Sequence, residues 1–313
     1  MYPNPSLPPF EVPGTLSPTQ ASVFLQCERK WEYSYGREMR PKQPSTRSMD
    51  KGSYIHELCH FYYSLLNEFE IGDTELLDIL KARVAQDFEE AGDEVDPIFY
   101  DECIRTFIGF VINRSPMIDM DITDLLVEYH LQREYNGRLI HGFADLIYWD
   151  TKSKVRVIRD HKTGGNPTTH SQHSTDTSFQ LNTYGTLWYL ETGEVAELET
   201  NFLHSQPPKN PVKTELFKTY RSKRSATFYE NWWNYLKEID NKQREPGTLQ
   251  NLSSCGNCPY LPICRLELKG IDPWVVIRTR YESENTVQSE NPDDSKEVNE
   301  SNIPKLRWNV SVH

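Results

Sequence analysis

The dipeptide Asn136-Gly137 sits between two long runs of strand-forming residues, and no other feature of the chain restricts its folding so much. Both residues tolerate positive φ, so the pair closes a tight hairpin. The second run, RLIHGFADLIYWD, is joined to a third, KVRVIRDHK, through a turn around Thr151-Lys152. A three-stranded meander is expected. Alternation puts Ile140, Gly142, Ala144, Leu146 and Tyr148 on one face of the second strand and His141, Phe143, Asp145 and Ile147 on the other. Asp145 is thus flanked by large apolar groups. On the third strand Asp160 and Lys162 emerge side by side, and pairing of the two strands brings Asp145 and Asp160 together at one end of the sheet.

Two half-buried carboxylates cannot both stay ionised cheaply unless they share a cation. Oxygen ligands suit a hard divalent ion, Mg²⁺ or Mn²⁺, and a histidine ligand leans toward Mn²⁺. A lysine two residues from a metal-binding aspartate can orient water or stabilise charge growing on a phosphate. This is the chemistry of phosphodiester hydrolysis.

Five prolines in the first 13 residues predict an extended lead-in over 1–15. Ser17, Pro18 and Gln20 then carry the signals of a helix start. On one continuous helix Phe24, Cys27 and Trp31 share a face, and Cys27 points inward. Further helices are expected over about 50–68, 73–91, 97–113, 179–191 and 226–244, with strands over 195–203 and 212–220. The order of elements makes a layered α/β domain spanning 16–281, without internal repeats. The tail, 282–313, reads as acidic and disordered.

The net charge of −12 is partly the tail's, and residues 1–281 carry −8. That balance argues against coating of DNA through many phosphate contacts, but leaves room for a local basic groove or a carboxylate site neutralised by metal. No run approaches the roughly 20 apolar residues of a membrane span, and the first residues lack the pattern of a signal peptide. A cytoplasmic protein without a membrane partner is expected.

The stretch GFADLIYWD…VRVIRDHKTG resembles the PD-(D/E)XK nuclease superfamily, specifically the RecB-like branch with its G-x-x-D and D-x-K-T-G motifs. QLNTY supplies Gln180 and Tyr184 of a Q-x-x-x-Y helix motif, and GSYIH supplies His56 of G-x-x-x-H, in matching order over about 16–268. The resemblance implies a restriction-endonuclease-like core, a central mixed β-sheet flanked by helices, with an N-terminal helical region. It makes His56, Asp145, Asp160 and the carbonyl of His161 metal ligands, and Lys162 the catalytic lysine. Gln180 and Tyr184 are placed near the reacting groups, and Glu128 matches a glutamate frequent in the first hairpin strand. Arg159 stands where the family usually has an apolar or small residue.

Six cysteines occur, and CGNCPYLPIC gives C-x2-C-x5-C at Cys255, Cys258 and Cys264. With Cys27 as a fourth thiolate, spacing suits either structural Zn²⁺ or a [4Fe–4S] cluster. One cysteine before the core and three after it is the arrangement of iron–sulfur RecB-like nucleases, which include the AddB nuclease domain and the CRISPR-associated iron–sulfur exonucleases. The resemblance therefore favours iron–sulfur, in a structural role that joins the two ends of the domain. Cys59 and Cys103 read as core residues.

KNPVKTELFKTYRSKR, 209–224, and ERKWEYSYGREMRPK, 28–42, mix basic and aromatic residues in the way a single-stranded DNA path does. The chain has no phosphate-binding loop of a helicase motor. A metal-dependent DNA exonuclease acting on single strands or free ends in recombination, repair or DNA processing is expected, in a bacterial cell or encoded by a phage. The alternatives are an end-processing subunit dependent on a helicase, integrase or recombination partner, and a non-catalytic DNA-binding module stabilised by metal.

Overall fold

The computed structural model describes residues 8–39, 46–68, 73–91, 96–113, 122–164, 171–204, 217–247, 253, 255–256 and 258–271. Residues 9–258 belong to one compact unit, and Pro8 and 259–271 to a second, whose helix is Leu261–Leu268.

The hairpin forms as its turn residues require. β2 (Ile122–Tyr135) and β3 (Arg138–Asp150) pair antiparallel around Asn136, at φ 51°, and Gly137, at φ 74°. β4 (Val155–Gly164) pairs antiparallel with β3, from Leu146 opposite Arg159 to Asp150 opposite Val155. It also runs parallel to β5 (Glu197–His204), to which β6 (Phe217–Ser222) adds antiparallel. A short β1 (Thr15–Leu16) lies parallel to Leu139–Ile140. The sheet is mixed, in the order β1-β3-β4-β5-β6, with β2 also on β3.

A strand has only two edges, and β2 takes one edge of β3 along nearly its whole length. β1 and β4 must share the other. β1 pairs at Leu139–Ile140 and β4 only from Leu146 onward, while β4 itself continues past Arg159 beside β5. The sheet therefore forks at Asp145 and Asp160.

Helices cover both faces. α1 (Pro18–Gln26) starts at a capping box in which Ser17 Oγ accepts from the Gln20 N–H at 3.2 Å and Gln20 Oε1 accepts from the Ser17 N–H at 2.9 Å. With α2 (Glu28–Trp31), the later α7 (Phe179–Thr192) and α8 (Ala226–Lys242), it packs Phe24, Trp31, Leu187 and Leu236 against Leu131, Ile140, Ala144 and Ile158. On the opposite face α3 (Arg47–Glu68), α4 (Asp73–Ala91) and α5 (Pro97–Asn113) pack Ile55, Tyr63, Leu80 and Phe107 near Leu146, Tyr148 and Val157. α6 (Gln172–Asp176) precedes α7 in the crossover between the parallel strands β4 and β5. α7 is buried without interruption from Leu181 to Trp188, as befits a helix enclosed between a sheet and another helix. Its polar side chains turn inward: Thr183 and Thr186 donate to the carbonyls of Phe179 and Asn182.

Two local expectations fail. The first helix breaks at Cys27, which is extended at φ −167° and ψ 114°, and a π-helical turn at Glu32–Gly36 follows α2. This places the buried Glu32 carboxylate between Arg29 and Arg37, at 3.0 and 2.6 Å, and leaves Cys27 only half-buried while Phe24 and Trp31 stay in the core. The strand alternation also fails. Ala144 and Ile147 belong to one core, Leu146 and Tyr148 to the other, and in β2 Tyr129 and Leu126 face the first while Val127 and Leu125 face the second. The facing of both strands reverses around Glu128 and Asp145, while their register is unbroken there and shifts only between Thr123 and Leu126. Glu128 sits at φ 49°, a left-handed conformation costing a non-glycine residue about 1–2 kcal/mol, and that reversal resets the alternation.

Elsewhere the expected helices appear within three residues of their ends. Of the last expected strand, Phe217–Ser222 is described and forms β6; 205–216 lie outside the described residues, as do 1–7 and the tail from 272. No described helix is long and apolar enough to cross a membrane.

The edge of the fold is held by a buried ion pair. Arg138, at 2% exposure, donates to Asp240 at 3.1 Å, to Gln243 at 2.8 Å and to the Thr15 carbonyl at 2.8 and 3.1 Å, tying β1, β3 and α8 together. Arg138→Met should lower unfolding free energy by about 3 kcal/mol, the low end for a broken buried pair because Arg244 still holds Asp240. Urea unfolding checks this; an unchanged midpoint would show that the tie contributes nothing.

Candidate active site

Asp160 lies on the α7 side of β4, at 1% exposure, where an isolated carboxylate is costly. The Lys162 ammonium, two residues along the strand, meets it at 3.0 Å through Oδ1 and 2.8 Å through Oδ2. Burial raises the Asp160 pKa, Lys162 opposes that rise, and the Asp145 charge adds to it. Lys162 also donates to Gln180 Oε1 at 3.0 Å, and Gln180 Nε2 donates to the Tyr184 hydroxyl at 2.9 Å. Gln180 and Tyr184 are one turn apart on α7. The helix thus orients the lysine, whose side chain stays 39% exposed and open to a ligand.

Asp145 stands at the other tine of the fork. One carboxylate oxygen, Oδ2, accepts from the His161 backbone N–H at 2.6 Å and lies 3.5 Å from His56 Nδ1 on α3. Burial works against an imidazolium at His56, but Asp145 beside it and Asp160 farther off prevail, and the pKa is raised. Glu128 stands at the rim, where partial desolvation of its carboxyl, and then Asp145, push it up to about 7 although much of the residue is exposed. His56, Glu128, Asp145, Asp160 and Lys162 therefore share one electrostatic neighbourhood.

Two glycines make the approach possible. A Cβ at Gly52, one turn before His56, would stand 3.0 Å from Thr163 Oγ1, so a glycine lets α3 lie close to the end of β4. At Gly142, three residues before Asp145, a Cβ would overlap the ring of Tyr184.

Behind this group lies a buried polar network that the sequence reading missed. Arg159 is paired with Glu199 and donates to the hydroxyls of Tyr63, at 2.8 Å, and Tyr148, at 2.9 Å. Arg221 bonds Glu199 at 3.0 and 3.1 Å and Asp150 at 2.6 Å. The His161 ring stacks on Tyr63 and contacts Asn201 Nδ2 at 2.9 Å. The available signal was the polar alternation Glu197, Glu199, Asn201 in a strand bounded by apolar residues.

Within the described residues, several groups of the two basic and aromatic stretches are turned to the interior. Trp31 and Tyr33 are fully buried, and Arg29 and Arg37 hold Glu32. Arg221 serves the buried network, and Arg224 donates to the Asp176 carbonyl at 2.6 Å and to Asn182 at 3.1 Å. Much of 209–224 lies outside the described residues; Lys223, within them, is exposed.

Among the described residues, no three His, Cys, Asp or Glu side chains gather closely enough to hold a metal ion as they stand. The donor types at the fork nevertheless fit Mn²⁺ or Mg²⁺. Asp160 is buried with one ammonium, and its Oδ2, though near Lys162, makes no hydrogen bond. Cys27, Cys255 and Cys258 are half-buried in the larger unit; Cys264 is on the helix of the other unit.

The family model of the PD-(D/E)XK nuclease superfamily matches residues 15–265. The chain belongs to that superfamily. Membership gives it phosphodiester hydrolysis as its class of reaction, and PD-(D/E)XK nucleases generally use Mg²⁺ or Mn²⁺. Solved structures similar to it include a candidate exonuclease from Eubacterium rectale, with TM-score 0.47 and 11% identity, covering 79% of this chain and 88% of that one. Others are SSO0001, at TM-score 0.32 and 13% identity over 81% and 87%, and VC1899 from Vibrio cholerae, at 0.23 and 14% over 72% and 56%. No curated protein matches the chain.

Gly142→Ala is expected to force Tyr184 from its place, lowering stability by about 1–3 kcal/mol as overpacking does. Thermal unfolding measures this, and an unshifted midpoint would mean that the ring yields freely.

Proposed function

We propose that the protein is a divalent-cation-dependent DNA exonuclease acting on single strands or free ends. The observation that carries this reading is the meeting of Asp145, Asp160 and Lys162 at the fork between β3 and β4. His56, Asp145, Asp160 and the carbonyl of His161 would hold the cation. Bound there, Mn²⁺ or Mg²⁺ supplies Lewis acidity to the phosphoryl oxygen and lowers the pKa of a bound water. Lys162, oriented by Gln180, faces the phosphate and offsets its growing negative charge. Tyr184 braces Gln180 through its hydroxyl. Glu128, at the rim opposite Asp145, can accept a hydrogen bond from the attacking water.

We assign the four cysteines Cys27, Cys255, Cys258 and Cys264 to a structural [4Fe–4S] cluster of the RecB-like kind. The break at Cys27 supports this, because an extended residue between two helices projects its thiol differently from a helical one. Gly247, eight residues before Cys255, packs on the Glu28 backbone, and its carbonyl accepts from Arg29 at 3.3 Å. The Cys258 N–H donates to the Cys255 carbonyl at 3.1 Å, a tight turn that suits two ligands of one cluster.

End-labelled linear and circular single-stranded DNA, incubated with Mn²⁺, separate the functional readings. Loss of the linear form only, abolished by EDTA and reduced at least a thousandfold by Asp160→Asn, is the expected result. Loss of the circle as well would make the protein an endonuclease. Inactivity of folded, metal-loaded protein until a helicase or integrase is added would replace the reading with an end-processing subunit.

The purified protein is also expected to be brown and to carry iron and acid-labile sulfide, with Cys255→Ala losing both colour and solubility. Stoichiometric zinc in a colourless preparation would overturn the iron–sulfur assignment.

A further inference from the structure

The aromatic residues of 28–39 are largely withdrawn into the core, but the hairpin carries aromatic rings at its surface. His130 and Phe143 are cross-strand partners whose rings stack at 4.4 Å with planes 11° apart. Phe143 is 48% exposed, a large apolar ring left in water. His141 stands edge-on to both rings, its Nδ1 3.3 Å from His130 Nε2. Burial and the neighbouring His130 pull the His141 pKa down, which favours the neutral imidazole at that residue.

Position gives this group its meaning. It occupies the face of the hairpin opposite Leu131, Ile140 and Ala144, which belong to the core. Two residues farther along each strand are Glu128 and Asp145, themselves opposed. Two strand residues advance about 6.7 Å, and although the facing reverses at this pair, the Asp145 carboxylate is turned to His56 of α3 on the same side as the stacked rings, which therefore adjoin it. A stack already formed between two strands loses little freedom when a flat partner lies on its open side.

We propose that His130 and Phe143 form a stacking platform for an unpaired base of the substrate strand, next to the phosphate that is cleaved, with His141 bracing it. The proposal rests on the reading of the site as a DNA nuclease and goes further by giving single-strand preference a location. A base inside a duplex has both faces covered and cannot use the platform. An unpaired base of any kind has a π face, so the platform discriminates strandedness and not sequence.

The test is fluorescence anisotropy with labelled single-stranded oligonucleotides in EDTA, which prevents cleavage. Phe143→Ala should weaken binding about 5- to 100-fold, the range expected for loss of one stacked base, and Phe143→Trp should retain it. A second series carries one abasic residue at successive positions from the end. One position should weaken binding by the wild type and have no further effect on Phe143→Ala, a signature that misfolding of the variant cannot produce. Equal affinity of wild type and Phe143→Ala, or an abasic penalty undiminished in the variant, overturns the platform while Mn²⁺-dependent cleavage by the wild type leaves the nuclease reading intact. A wild type that neither binds nor cleaves DNA overturns both.

Discussion

A carboxylate at 1% exposure, balanced by one ammonium, is the constraint around which the larger unit is organised. Asp160 cannot be moved toward water without taking β4 out of the sheet, and β4 is flanked by β3 and β5. The charge is instead accommodated where the ladder between β3 and β4 stops. Had the two strands stayed paired for another two residues, the space between Asp145 and Asp160 would be filled by backbone hydrogen bonds. The fork exchanges those bonds for an acidic opening, with the His161 N–H turned to the Asp145 side chain.

The two helical layers reach this opening from opposite faces. α7 brings Gln180 and Tyr184 from one side, and α3 brings His56 from the other. Each approach depends on a missing side chain, at Gly142 for Tyr184 and at Gly52 for α3. Behind the fork, the Arg159, Glu199, Tyr63 and Tyr148 network fixes the strand from which Asp160 and Lys162 project. An arginine departing from the usual apolar residue at that position is thereby accounted for, since its charge is paired and its donors are satisfied.

Much of this was legible in the sequence. The turn at Asn136-Gly137 sets Glu128 level with Asp145, and the short turn after Asp150 brings Asp160 level with Asp145 where β3 and β4 part. The long helices were legible because one periodic apolar face survives whatever packs on it. The reversal of facing at Glu128 was not, because its left-handed backbone occurs at a residue type that seldom adopts it. Nor was the break at Cys27, where an unbroken apolar spacing from Phe24 to Trp31 conceals a change of direction. The internal use of several arginines in the basic stretches was hidden for a different reason. Arginine beside an aromatic ring looks the same in sequence whether it faces a phosphate or, like Arg29, Arg37 and Arg221, an internal carboxylate.

The enclosure of α7 affects how freely the chain can vary. Its residues from Leu181 to Trp188 are all buried, and at Gly185 an added Cβ would lie 2.6 Å from the Tyr229 hydroxyl. A surface helix can accept substitutions on its outer face, but this one has none to offer over two turns. Changes there are transmitted through the helix backbone to Gln180 and hence to the lysine at the fork. Relatives of this protein that retain its chemistry should therefore drift little in α7 even at positions beyond Gln180 and Tyr184, and more readily on the outer faces of the helices of the opposite layer, which meet solvent.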